Sequence, residues 1–200
     1  MNLGKGGVSV MEEEEEQEAG VWDCRWPDPV ALRVASERIL DGLSGSRTDV
    51  NWRIGLQVEM EGVPAPGGFP NALLISPWGV ERVYWSPFGT EAPPIQSAVP
   101  LVADDQGRVA AGQGVLLLTE PKPTPVLIAW EPETGHHFIQ SLIGNMLPYE
   151  DGQQAMMAAF AVERRVVAAK TASSSVEIGE EPSRLQKPVS RRGMFGFLRR

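Results

Sequence analysis

At 200 residues and 42% hydrophobic content, the chain is long enough for one domain with a real core plus tails. A net charge of −8 argues against nonspecific nucleic-acid binding, which depends on neutralising phosphates. The single cysteine, Cys24, excludes an internal disulfide, and no stretch nears the roughly 20 apolar residues of a membrane span.

The charge is uneven. Glu12 to Glu16 form an unbroken acidic run, whereas the chain from Arg184 onward carries six basic residues and no acid. Residues 1–23 read as a disordered acidic tail, glycine-rich and then glutamate-rich. Met1 to Val10 holds no apolar stretch of the length a secretory signal needs, which places the chain in the cytoplasm, as a lone thiol also suggests.

An α+β domain is expected over residues 24–170. Asp28 followed by Pro29 opens a helix whose inner face carries Leu32, Ala35, Ile39 and Leu43, with Gly42 at its end. Trp52, Ile54, Leu56, Val58 and Met60 alternate with polar positions and predict a strand, Trp52 belonging to the core. Glu61 to Pro70 reads as a loop. Asn71–Ser76 and Val80–Ser86 then predict a hairpin closed by Pro77-Trp78-Gly79.

Further strands are expected at Ser97–Val102, Gln113–Leu118 and Val126–Trp130, joined by turn-forming Asp104-Asp105-Gln106-Gly107 and by Pro121, Pro123 and Pro125. The spacing of Phe138, Ile139, Leu142, Ile143 and Met146 predicts a helix stopped by Pro148. Asp151 and Gln154 have capping-box spacing before a last helix that runs to about Lys170 on Met156, Ala159, Phe160, Val166 and Val167. The sum is a two-layer α+β sandwich: a meandering antiparallel sheet with helices on one face. Residues 171–200 read as a flexible linker and a basic tail.

A search for chemistry finds little. His136 and His137 are adjacent, so on a helix or a strand they diverge and cannot readily share one ion; at a helix opening they would face solvent. No nucleophile elbow, phosphate loop or dinucleotide fingerprint occurs, and we expect neither an enzyme, a cofactor nor a bound metal. The tryptophans are more informative. Trp78, after Pro77 at a hairpin tip, and Trp85, on the returning strand, are candidates for protein recognition, with packing over the sheet as the alternative for Trp78. Ser190-Arg191-Arg192-Gly193-Met194-Phe195 comes close to the twin-arginine signature of export signals, although Phe195 is one place late and the segment is C-terminal. It is either a solvated tail or a docking segment in which Arg191 and Arg192 pair with carboxylates and Phe195 is buried.

The order of these features resembles the HybE/HupJ family of NiFe-hydrogenase assembly chaperones. The likeness rests on Asn51 to Met60, on Leu73-Leu74-Ile75-Ser76-Pro77-Trp78, on a last helix opened at Glu150-Asp151, and on the terminal arginine pair with its apolar neighbours. It covers Asp28 to Lys170 plus the tail. The glutamate-rich head, the proline-rich loop and Val80-Glu81-Arg82 depart from the family pattern, and the rubredoxin-like cysteine module of some members is missing. The resemblance implies a cytoplasmic, secretion-chaperone-like sandwich that binds no metal and holds the large subunit precursor, the small subunit precursor with its twin-arginine signal, or both, before export. Pro77, Trp78, Trp85, Arg191, Arg192 and Phe195 would contact that client. The alternative is a secretion-type chaperone or adaptor for an unrelated exported partner. A homodimer is compatible with either.

Overall fold

The computed structural model describes residues 20–43, 47–61, 68–87, 92–120 and 122–174, with side chains to 165. The glutamate run and the segment holding Arg191, Arg192 and Phe195 lie outside the described residues. The chain divides into two compact units, Met1–Glu163 and Arg164–Arg200; the described part of the second is helical.

Helix α1 (Pro29–Gly42) starts as its sequence dictates. The Asp28 carboxylate accepts the N–H groups of Val30 at 2.8 Å and Ala31 at 3.2 Å, and Pro29 takes the first position, where a missing N–H costs nothing. Leu32, Ala35 and Ser36 are its buried residues, while Ile39 is already at the rim.

Seven strands follow: β1 (Gln57–Glu61), β2 (Asn71–Ser76), β3 (Gly79–Tyr84), β4 (Ile95–Gln96), β5 (Gly114–Leu117), β6 (Thr124–Glu131) and β7 (Gly135–Ile143). They form one open sheet in the order β1-β2-β3-β7-β6-β5-β4, antiparallel throughout. Two meanders are thus joined through their last strands, β3 and β7. Helix α2 (Gly152–Ser174) completes an α+β sandwich. Its N-terminus is capped reciprocally: Asp151 accepts the Gln154 N–H and Gln154 accepts the Glu150 N–H, both at 2.8 Å.

Strand alternation divides the core. Leu73, Ile75 and Val80 point to the face covered by Ala155 and Ala159 of α2, with Ile54 and Met146 alongside. Ala72, Leu74, Val83 and Trp85 point to the other face, against Leu32 of α1. The two helices therefore flank opposite faces of the β1–β3 half, where the sequence reading puts both on one. A third cluster, with Tyr84, Val109, Leu117, Ile128 and Phe138, fills the α2-side face of the other half.

Three local expectations are corrected. Residues 138–146 contain no helix, since Phe138 to Ile143 belong to β7. That strand is covered on both sides where it starts, and its apolar doublets Phe138-Ile139 and Leu142-Ile143, four residues apart, imitate helical spacing. The strand expected from Trp52 begins only at Gln57; Asn51–Ile54 is a turn, and Trp52 is 44% exposed with its indole N–H on the Arg47 carbonyl. Ser97–Val102 is irregular, and the pairing at that edge is confined to Ile95 and Gln96.

Val21, Trp22 and Asp23, assigned by sequence to the acidic tail, are instead held against the sheet. Val21 exchanges backbone hydrogen bonds with Gly107 at 2.9 Å and Val109 at 3.1 Å. Trp22 packs against Phe138 and lies edge-on to the His136 ring, with centroids 5.0 Å apart.

Candidate functional site

The α1-side face of the sheet changes character across the strands. Cross-strand register aligns Ala72, Val83, Ile139, Leu127 and Gly114 in one row running from β2 through β3, β7 and β6 to β5. Ala72 and Val83 are fully buried with Leu32 of α1, Ile139 and Leu127 are half-buried, and Gly114 is exposed. Beside this row Pro125 and Leu116 are paired, both exposed, with Leu116 at 39% and Leu118 at 44%. An apolar sheet surface thus emerges from beneath α1 and continues into solvent over β7, β6 and β5. Contiguous exposed apolar surface of this kind marks interaction sites.

Glu81 borders that surface. It pairs with Leu74 on β2 and Ser141 on β7, which places it on the α1-side face. Burial raises its carboxyl to about 6, against the opposing influence of the nearby Trp78 indole. Trp78 itself is half-exposed in the two-residue turn, and Pro77 is buried there. The Ser76 hydroxyl secures this turn, accepting the Gly79 N–H at 3.1 Å and donating to the Gly79 carbonyl at 3.0 Å.

Trp85 is corrected as a surface residue. It is fully buried in the cluster under α1, and its indole N–H has no hydrogen-bond partner. It also lies beyond the far end of β3 from Trp78, roughly 20 Å away at the rise of an extended chain. The two tryptophans do not form one site.

The histidine pair is structural, not solvent-facing. His136 Nδ1 accepts the Asp23 N–H at 2.7 Å, so Nε2 carries the proton and donates to the Val109 carbonyl at 2.9 Å. Burial holds its pKa below the usual histidine value. His137 points the opposite way, is also buried, and sets Nδ1 at 3.0 Å from the Gly135 carbonyl; desolvation lowers its pKa to about 4. Around them Asp23 accepts from Arg25 at 2.7 Å and from the Trp130 indole at 3.1 Å, and the Arg108 guanidinium stacks 3.5 Å over the Trp130 ring. His136 and Trp130 hold the N-terminal segment to the sheet through Asp23, whereas His137 bonds within its own strand.

No family model, curated protein or solved structure matches the chain. Among the described residues no three His, Cys, Asp or Glu side chains converge to hold a metal ion, and no helix is long and apolar enough to cross a membrane.

Of the expected contact residues, the structure leaves Trp78 on an accessible surface, withdraws Pro77 and Trp85, and does not describe Arg191, Arg192 or Phe195. The sequence reading missed Leu116, Leu127, Ile139 and Glu81. One local signal was available: Leu116 and Leu118 share a face two residues apart on a strand. Their continuity with Leu127 and Ile139 needs the register of three strands.

Proposed function

We propose that this protein is a holding chaperone for precursor subunits of a NiFe-hydrogenase, retaining the large subunit, the small subunit or both in the cytoplasm before export. The observation that carries the holding role is the apolar row that leaves the cover of α1 at Ile139 and continues through Leu127 toward Leu116. A surface of this shape and chemistry takes an apolar segment of a client and releases it without covalent chemistry. The client rests on the resemblance of the Leu73–Trp78 strand and turn, the Glu150-Asp151 helix opening and the terminal arginine pair to the HybE/HupJ chaperones.

The test is affinity capture of the full chain from its native host, with mass spectrometry of co-purifying proteins, for the natural chain and for Leu127→Asp. Recovery of a hydrogenase precursor that disappears with Leu127→Asp supports the proposal. Recovery of a different exported protein, equally dependent on Leu127, keeps the holding role and replaces the client. A precursor retained by Leu127→Asp places binding elsewhere and overturns the assignment of the face.

A further inference from the structure

We propose that Glu81 and Trp78 form a subsite for an arginine side chain, set at the border of the open apolar face. The partner segment would then be mainly apolar with one arginine, and not apolar throughout. This rests on the reading of the face as a client-binding surface, and it specifies what that client must carry.

The first observation is position. Glu81 lies between Leu74 and Ser141 across the strands, one row over from the Val83–Ile139–Leu127 line, so a chain lying on that line passes beside it. The second is an unmet charge. Among the described residues, Asp23, Glu131 and Glu133, Glu61 and Glu163, and Asp104 are each engaged by an arginine, whereas no arginine, lysine or histidine forms an ion pair with Glu81. The contrast is sharpest with the next residue. Arg82 points to the α2-side face and binds Glu61 at 2.8 Å and Glu163 at 2.5 Å. The strand thus holds a cation paired with two carboxylates on its α2-side face and an anion without a cation on its α1-side face.

A half-buried carboxylate without a counter-ion is unfavourable, and a partner that brings the cation relieves it. Arginine fits better than lysine. Its planar guanidinium can donate in parallel to the carboxylate while lying against an aromatic ring, and Trp78 presents a half-exposed indole close enough to favour the ionised Glu81 carboxyl.

The experiment uses the full chain and two short synthetic peptides of leucine, alanine and serine. One has a central arginine; its twin has citrulline, which keeps the shape and loses the charge. Affinities are measured calorimetrically for the natural chain, Glu81→Gln and Leu127→Asp. Glu81→Gln preserves size and an acceptor for the indole, so it isolates the charge. The natural chain is expected to prefer the arginine peptide by about tenfold or more, the scale of a partly buried charge pair. Glu81→Gln should abolish the preference, and Leu127→Asp should weaken both peptides. Equal binding of the two peptides to the natural chain, or a preference that survives Glu81→Gln, overturns the subsite alone if Leu127→Asp still weakens binding. Failure of both peptides to bind, or indifference of both to Leu127→Asp, overturns the reading of the face and the subsite with it.

Discussion

Gly135 begins β7 with φ +64°, and a Cβ built there would stand 2.4 Å from the Asp23 carbonyl oxygen. Both features demand glycine: the left-handed backbone penalises any side chain, and the N-terminal segment passes too close for one. Gly135→Ala should cost at least about 2 kcal/mol and free the segment carrying Trp22, read by urea denaturation together with Trp22 hydrogen exchange. Glu81 supplies a prediction of opposite sign. Its folded-state carboxyl titrates at about 6, above the ordinary glutamate value, so the folded chain is penalised once Glu81 ionises. Glu81→Gln should therefore stabilise the isolated protein by up to about 2 kcal/mol above pH 6, and the gain should vanish below about pH 4.5. A thermal-shift series across that range decides it. An acid that weakens the free protein is the kind of residue a binding surface retains.

At the scale of elements, the helix openings and the β2–β3 hairpin were legible in the sequence because their signals are local. Asp28-Pro29 and Asp151 act on N–H groups within three residues, and Ser76 acts on Gly79. β7 was not legible. His136 and Phe138 face one side and His137 and Ile139 the other, so the strand has lost the alternation that identifies a half-wet one. Trp22 to Asp23 were misassigned for a different reason: their partners, His136 and Val109, are distant in sequence, and composition alone favoured a tail. The open face shares this difficulty, being assembled from residues of separate strands. The N-terminal segment is an element in its own right, held by Val21, Trp22, the Asp23 backbone and Arg25, whose guanidinium reaches the Pro132 carbonyl at 2.6 Å. Removing residues 1–25 should expose Phe138 and the His136 ring and lower stability by about 3 kcal/mol, from lost apolar cover and hydrogen bonds. Chemical denaturation of the shortened chain measures it.

For the whole molecule, the two histidines set the response to acid. Both are neutral when folded, and both have pKa values lowered chiefly by burial, His137 to about 4. The unfolded chain takes up those protons first, near pH 6.5, so stability is full above that value and drains away as pH falls toward 4. His137 alone accounts for about 3 kcal/mol of that loss, well above the opposing relief of Glu81 over a narrower range. Natural chain and His137→Gln should differ in slope between pH 6.5 and 4, the variant being flatter. A common slope would show that His137 is not the acid-sensitive group.

The sheet order has a consequence for synthesis. β7 is the last strand made, yet it occupies the middle, between β3 and β6. Until it arrives, a growing chain can hold only two separate ribbons, each ending in an unsatisfied edge, one carrying Val80, Val83 and Tyr84 and the other Val126, Leu127 and Ile128. A product stopped before Gly135 should therefore be insoluble, and one completed through β7 should not, as fractionation of a truncation series would reveal. The chain would itself pass through such a stage on the ribosome, awaiting the strand that joins its halves.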